Sequence, residues 1–208
     1  MGHDQSCLAD HCGWDEPMKL GIFGGTFDPP HVGHIVAACH AGWAAGLDEV
    51  WMVVARAPWQ KEGSRPVTDP TIRLRLVRVA IAGIDGLVAS DLELQRDGPT
   101  YTIDTVEQIR RERPAVDVSL IVGADAGAGL DTWHRADELR GLVDVVVVNR
   151  PGHAPDGVPP GWSWRSVEIP ALDVSGTDLR RRVAAGEPIH GLTPAPVAVM
   201  IVDEQLYG

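Results

Sequence analysis

The sequence is poor in cysteine and has no long apolar run. Its 208 residues include only three cysteines, Cys7, Cys12 and Cys39, a number that suits a reducing cytoplasm better than a disulfide framework. No apolar stretch approaches the roughly 18 residues that a membrane-spanning helix needs. We therefore predict a cytoplasmic protein with no membrane partner.

The first residues also lack the features of a secretory signal. Residues 1–17 carry four acidic side chains, and they have neither a basic start nor an apolar stretch. Met18 stands directly before the first strand-like segment. We expect residues 1–17 to be a disordered extension and residues 18–208 to form a single domain, since this length fits one hydrophobic core.

Basic residues are in deficit. Eighteen Lys and Arg residues stand against 29 Asp and Glu residues, which gives a formal net charge of −11. This balance argues against a broad surface for nucleic acid or for an anionic membrane. It does not exclude a small anionic ligand, because a few local donors bind a phosphate group. We expect no nucleic-acid partner, and the sequence is compatible with a homo-oligomer.

Strand-like and helix-like segments alternate along the chain. The predicted strands are residues 19–25, 50–55, 87–94, 118–122, 143–148 and 167–172. The predicted helices are residues 31–46, 68–83, 102–113, 136–142, 177–185 and 196–205. Unbroken apolar strands between helices indicate a parallel sheet that is covered on both faces. We predict an α/β fold, a Rossmann-like doubly wound parallel sheet of five to six strands, with ligands beyond the carboxyl ends of the strands.

The loop after the first strand is the densest group of candidate binding residues. From residue 24 to residue 34 it reads Gly-Gly-Thr-Phe-Asp-Pro-Pro-His-Val-Gly-His. Paired glycines let the backbone approach a phosphate closely, and the helix start at His31 offers N–H groups to an anion. His31 and His34 lie on one face of the first turn, where both can donate to phosphate oxygens, and Gly33 leaves room for a ligand. The loop predicts a site for the phosphates of a nucleoside triphosphate.

Two other phosphate-binding motifs are absent from the sequence. Gly21, Gly24 and Gly25 do not have the spacing of the dinucleotide fingerprint, and no Gly-Lys-Ser/Thr closes a Walker loop. A redox enzyme that uses NAD is therefore disfavoured. The alternative for the loop itself is a glycine turn whose two histidines cap a helix by chance.

Further candidate residues follow the later strands. Residues 100–102 open the third helix, where an ordinary N-cap is the alternative function. Gly123 and Asp125 end the fourth strand, where an acid can accept hydrogen bonds from ribose hydroxyls or cap the next turn. Trp133 can stack on a flat ring or pack in the core. Arg150 follows the fifth strand, where it can bind a phosphate or remain solvated.

These motifs carry a specific family resemblance. Residues 24–34 resemble the first signature of the His-x-Gly-His nucleotidylyltransferase superfamily, and in detail that of the bacterial nicotinate-nucleotide adenylyltransferases. Ser175, Thr177 and Arg180 resemble the second signature, which normally begins Ser-Ser-Thr, and Gly176 departs from it. Arg73 matches an arginine of the helix that follows the family's mobile loop.

The resemblance implies adenylyl transfer from ATP to nicotinate mononucleotide, with Mg²⁺ bound mainly through the ATP phosphates and no metal ligands from the protein. By this resemblance, the catalytic residues are His31, His34 and Arg180. The ATP-binding residues are Gly24, Gly25, Thr26, Phe27, Gly33, Gly123, Asp125, Arg150, Ser175 and Thr177. The nicotinate-nucleotide-binding residues are Lys61, Thr100, Tyr101, Thr102 and Trp133.

Other functions stay open at this point. The acceptor can be nicotinamide mononucleotide, phosphopantetheine, or a choline-type phosphate that reacts with CTP. The segments around residues 100–102 and Trp133 favour the pyridine nucleotide. A nucleotide-binding protein with little turnover is an alternative of a different class, and Gly176 is the feature that favours it.

Overall fold

Six parallel strands form one sheet in the described part of the chain. The structure, a computed structural model, describes residues 17–57, 67–149 and 157–208, and the predicted extension lies outside them apart from Pro17. The strands are β1 (Lys19–Gly25), β2 (Glu49–Val54), β3 (Leu87–Ser90), β4 (Asp117–Gly123), β5 (Asp144–Asn149) and β6 (Trp164–Glu168). Their order is β3-β2-β1-β4-β5-β6, with every neighbouring pair parallel. The predicted Rossmann-like α/β fold is confirmed.

Helices cover both faces of the sheet. They are α1 (Val32–Ala45), α2 (Pro70–Ala80), α3 (Thr102–Glu112), α4 (Ala124–Ala128), α5 (Ala136–Arg140), α6 (Gly176–Ala184) and α7 (Ala195–Asp203). Helices α3 and α5 bury their apolar side chains against one face, and α1, α2, α6 and α7 belong to the clusters on the other. No helix among the described residues has the length and apolar character needed to cross a membrane.

The third strand is shorter than the sequence predicted. Residues 87–94 were expected to be one strand, but β3 ends at Ser90. The chain turns immediately afterwards, where the Leu94 N–H donates to the Asp91 carbonyl at 2.8 Å. Leu92 and Leu94 pack into two different core clusters. Their apolar character therefore reflects packing in the turn and not a longer strand. The predicted strand end was therefore wrong.

The sixth strand lies earlier in the chain than predicted. Residues 167–172 were expected, whereas β6 begins at Trp164 and ends at Glu168. It is an edge strand with a single neighbour, and four of its five residues are exposed, so its first half has no apolar pattern. Pro170 cannot donate a ladder hydrogen bond, which prevents the expected continuation. Helix α4 was not predicted at all.

The topology leaves a crevice beside the central strand. The chain continues from β1 to β2 and β3 on one side, and β4 then pairs with the opposite side of β1. The loops that follow β1 and β4 therefore diverge at the carboxyl edge of the sheet. In open sheets of this kind, the space between such loops is where ligands bind.

Candidate active site

A cavity of about 220 Å³ lies in this crevice, at the carboxyl ends of β1 and β4. Eight of the predicted site residues line it: Gly24, Gly25, Thr26, Thr100, Tyr101, Thr102, Gly123 and Trp133. The first three belong to the predicted phosphate loop, and most of the others to the predicted acceptor pocket. The fold therefore brings residues that were assigned to two different substrates into one cavity.

Two aromatic rings form one wall of the cavity, and the sequence predicted only one of them, Tyr101, as a site residue. The rings of Tyr101 and His134 are stacked, with centroids 4.1 Å apart and planes at 26°. His134 directly follows Trp133 and lines the same cavity, but it was not predicted as a site residue. Its position next to a predicted residue was the signal that could have identified it.

Arg135 holds this wall against helix α3. It has a φ of +54°, a conformation that side-chain-bearing residues rarely adopt, and it is the N-cap of α5. Its guanidinium pairs with Glu107 at 2.6 Å and with Glu138 at 2.7 Å. Because Glu107 lies on α3, these contacts fix the turn that carries Trp133 and His134 relative to Tyr101.

A buried carboxyl group also lines the cavity. Glu93 is 8 % exposed, and burial raises the pKa of its carboxyl group. The Thr105 hydroxyl donates to Glu93 Oε1 at 3.1 Å. Arg96 in turn donates to Thr105 Oγ1 at 2.5 Å. This network ties the loop after β3 to α3.

The two histidines of the loop form a stacked pair at the start of α1. The backbone N–H of His31 donates to His34 Nδ1 at 3.2 Å, and the ring centroids are 3.7 Å apart. Because Nδ1 of His34 accepts this bond, the neutral ring carries its proton on Nε2. Burial lowers the pKa of His31 to about 4, so His31 is neutral at neutral pH. His34 can therefore donate to a ligand only through Nε2–H.

Phe27 and Gly33 support this pair. The buried Phe27 ring meets the His34 ring edge-on, with centroids 5.0 Å apart. A Cβ atom at Gly33 would lie 3.1 Å from His31 Nδ1 and 3.2 Å from Val174 Cγ1. Glycine at this position therefore lets the His31 ring pack closely against the helix start, and the predicted contact of Gly33 with a ligand stays a prediction.

The second signature lies directly against the phosphate loop. Arg180 donates to the Asp28 carbonyl at 2.5 Å and to Thr177 Oγ1 at 3.0 Å. Ser175 is the N-cap of α6, where its Oγ accepts from the Asp178 N–H at 3.1 Å. A Cβ atom at Gly176 would lie only 3.0 Å from the Asp28 carbonyl oxygen. The departure from the signature therefore permits a close contact between two loops.

A fully buried arginine joins the loops after β1 and β2. Arg73 is 0 % exposed, and its side chain donates to the carbonyl oxygens of Thr26 at 2.7 Å, Ala55 at 2.8 Å and Thr68 at 2.7 Å. Thr26 and Ala55 both line the cavity. Arg73, which matches an arginine of the family but had no predicted role in the site, thus holds two walls of the cavity together.

Several predicted residues lie outside the lining of the cavity, and all three predicted catalytic residues are among them. They are Phe27, His31, Gly33, His34, Asp125, Ser175, Thr177 and Arg180. Helix α4 begins at Ala124, which places Asp125 in its first turn with an exposed side chain, and Ala126 lines the cavity instead. Lys61 and Arg150 lie outside the described residues. Within the described ranges, no three His, Cys, Asp or Glu side chains lie together where they could hold a metal ion. The individual ligand contacts assigned to the site residues stay predictions.

Comparison with known proteins places the chain in a family. Residues 22–182 match the family model described as cytidylyltransferase-like. A protein of Exiguobacterium sibiricum named "Probable nicotinate-nucleotide adenylyltransferase" is 39 % identical over 190 residues, which cover 91 % of this chain and 99 % of that protein. A protein of Arthrobacter sp. with the same name is 44 % identical over 185 residues, covering 88 % of this chain and 89 % of that protein.

Solved structures have the same fold. The nicotinic acid mononucleotide adenylyltransferase of Plasmodium falciparum complexed with APC matches with a TM-score of 0.75 at 17 % identity, covering 91 % of this chain and 97 % of that chain. The same enzyme complexed with NaAD matches with a TM-score of 0.74 at 17 % identity and the same coverage. With two relatives near 40 % identity over almost their whole length, the chain belongs to the nicotinate-nucleotide adenylyltransferase family.

Proposed function

We propose that this protein transfers the adenylyl group of ATP to nicotinate mononucleotide, a step of NAD biosynthesis. The products are nicotinate adenine dinucleotide and pyrophosphate. The observation that carries the proposal is the shared cavity, in which the phosphate loop at residues 24–26 meets the predicted acceptor residues at 100–102 and Trp133. Two substrates that react with each other must bind within contact distance, and this arrangement meets that requirement.

The reaction needs no nucleophile from the protein. A 5′-phosphate oxygen of the acceptor attacks the α-phosphorus of ATP, a new P–O bond forms, and the bond to the pyrophosphate oxygen breaks. The acceptor phosphate is already ionised at neutral pH, so no general base is required. Catalysis can then come from alignment of the two substrates and from stabilisation of the charge on the leaving pyrophosphate.

We assign the stabilisation of that charge to His34 and Arg180. His34 Nδ1 accepts from the His31 backbone, so a hydrogen bond from His34 to a phosphate would come from Nε2–H. Arg180 adds a permanent positive charge, and it contacts the phosphate loop at the Asp28 carbonyl. The amino-terminal end of α1 adds the positive end of a helix dipole.

The start of α3 favours an acid over an amide. At this helix start the Asp104 N–H donates to the Tyr101 carbonyl at 3.1 Å. The backbone N–H groups of Thr102 and Ile103, in the same first turn, have no carbonyl partner within the helix. They suit a carboxylate, whereas the N–H₂ group of an amide would place one donor against another. We propose this end of α3 as the source of acid preference.

We propose that Mg²⁺ enters with ATP. The described residues contain no dedicated group of metal-ligating side chains, which suits an ion bound mainly to phosphate oxygens. Bound there, it would neutralise part of the charge of the triphosphate.

The test is pyrophosphate release with each acceptor in turn. We expect release with nicotinate mononucleotide, and kcat lower by about 100-fold in His34→Ala, because one preorganised donor is lost. His40→Ala, on the same helix but outside the loop, is the matched control and should keep wild-type kcat. Faster release with nicotinamide mononucleotide or phosphopantetheine would contradict the acceptor. Tight ATP binding without release for any acceptor would support the nucleotide-binding alternative.

A further inference from the structure

The C-terminal segment, residues 204–208, forms a hydrogen bond to a buried residue of the phosphate loop. Asp28 is 4 % exposed and stands in the middle of that loop. The Tyr207 hydroxyl donates to Asp28 Oδ1 at 2.8 Å, while Arg180 donates to the Asp28 backbone carbonyl. One residue is therefore held from two sides, by its side chain and by its backbone, through contacts that are distant in sequence.

The backbone on both sides of this contact adopts an unfavourable conformation. Tyr207 has a φ of +68° and Gln205 a φ of +51°, and Phe27, next to Asp28, has a φ of +49°. Residues with a Cβ atom avoid this region unless surrounding contacts hold them there. The turn at Gln205 and Tyr207 is the geometry that brings the tyrosine ring to the loop. Strained conformations on both sides of one hydrogen bond indicate that the contact is a specific one.

The Tyr207 hydroxyl has one proton, and it donates that proton to Asp28. Burial raises the pKa of Tyr207, so the group remains a donor throughout the physiological range. Thr68 offers its carbonyl oxygen to Arg73, the arginine that holds Thr26. Arg73 and Tyr207 thus hold two nearby residues of the loop, Thr26 and Asp28.

We propose that Tyr207 is a positioning residue for adenylyl transfer, acting through Asp28 on the phosphate loop and on Arg180. This role rests on the proposed function. Tyr207 has no assigned contact with a substrate, and its hydroxyl donates to the Asp28 carboxylate. By holding the Asp28 carboxylate, it fixes the backbone carbonyl against which Arg180 is placed, three residues before His31. Loss of the hydroxyl should therefore affect the use of ATP and not the acceptor.

The test compares Tyr207→Phe with Glu204→Gln. Tyr207→Phe removes one oxygen atom, and we expect kcat/KM for ATP to fall about tenfold while KM for nicotinate mononucleotide stays within about twofold. Glu204 pairs with Arg75 at 2.5 Å and ties the same C-terminal segment to α2 without reaching the loop. Its variant should keep wild-type values. Should Tyr207→Phe fail to fold, Asp28→Asn keeps the tyrosine but replaces the accepting carboxylate by an amide, and kcat/KM for ATP should fall in the same direction.

Two further measurements separate positioning from a general effect on stability. If Tyr207 acts through Asp28, adding Tyr207→Phe to Asp28→Asn should cause no further loss, so the two effects will not add. Additive effects, or a lower Tm with unchanged kcat/KM for ATP, would overturn the role. Calorimetric binding of a non-hydrolysable ATP analogue distinguishes the two proposals. A wild type that binds the analogue and yet shows no turnover of ATP with nicotinate mononucleotide would contradict the proposed function. If Tyr207→Phe then weakens binding of the analogue, the positioning role of Tyr207 still stands. A wild type that neither binds nor turns over ATP overturns both.

Discussion

The stability of the active-site loops should depend heavily on Arg73. Replacement by Met keeps a long side chain but removes the donors to at least four part-buried carbonyl oxygens, three of them at 2.7, 2.7 and 2.8 Å and the fourth, that of Arg56, at 3.3 Å. A buried carbonyl group left without a partner costs about 1–3 kcal/mol. Removal of a buried charge offsets part of this cost, so we expect a net loss of about 4 kcal/mol.

The corresponding shift in Tm is large enough to measure without ambiguity. A domain of this size loses about 2–4 °C of Tm per kcal/mol, so the midpoint should fall by about 8–16 °C. Thermal and urea unfolding of the purified protein measure this directly. Arg78→Met is the matched control, because Arg78 lies on the same helix, its side chain is 57 % exposed and its nearest carboxylate lies 4.0 Å away. It should stay within about 2 °C of the wild type.

One result would refute this reasoning. If Arg73→Met unfolds within about 3 °C of the wild type, these carbonyl groups find other partners or water, and the loops after β1 and β2 do not depend on the guanidinium. A large loss in Arg78→Met would show instead that helix α2 is sensitive to any change at its arginines.

Two further predictions concern the loop and its neighbour α6. Burial lowers the pKa of His31 to about 4, while the side chain titrates near 6.5 in the unfolded chain. The stabilisation that the neutral His31 ring provides is therefore fully present at pH 7, and it is lost as pH falls from about 6.5 towards 4. Urea unfolding at pH 7, 6 and 5 should show a smaller loss in His31→Gln, and an equal loss would contradict the assignment. Gly176→Ala should lower kcat/KM for ATP about fivefold, since its Cβ would lie 3.0 Å from the Asp28 carbonyl. Gly141→Ala, with an ordinary 3.6 Å contact, is the control, and equal values for both variants would show that the loop yields without loss.

Local pattern was sufficient for most of the fold. Continuous apolar strands between amphipathic helices predicted a parallel sheet and its six strands, because burial on both faces leaves a direct trace in the sequence. The trace fails where burial is one-sided or absent. Strand β6 lies at an edge with four of five residues exposed, so its apolar pattern predicted only its last residues as a strand. Leu92 and Leu94 caused the opposite error: they pack in the core from a turn, and their apolar character made β3 look longer than it is.

The candidate site was predictable where function follows a strand. The rule that ligands lie beyond strand ends directed attention to the phosphate loop, whereas residues 100–102 were assigned to the acceptor through the family resemblance. Contacts between distant segments left no such trace. Tyr207 reaches Asp28 across 179 positions, and Arg180 reaches it across 152. Nothing in the neighbourhood of either residue in the sequence reports such a pairing.

The glycine at position 176 has a consequence for combinations of substitutions. A Cβ atom there would lie 3.0 Å from the Asp28 carbonyl oxygen, so a serine at this position requires the loop to move by a few tenths of an ångström. The effect of a side chain at position 176 therefore depends on the residues that hold the loop in place. Substitutions at position 176 and in the loop should have effects that do not add, because the two segments are in contact.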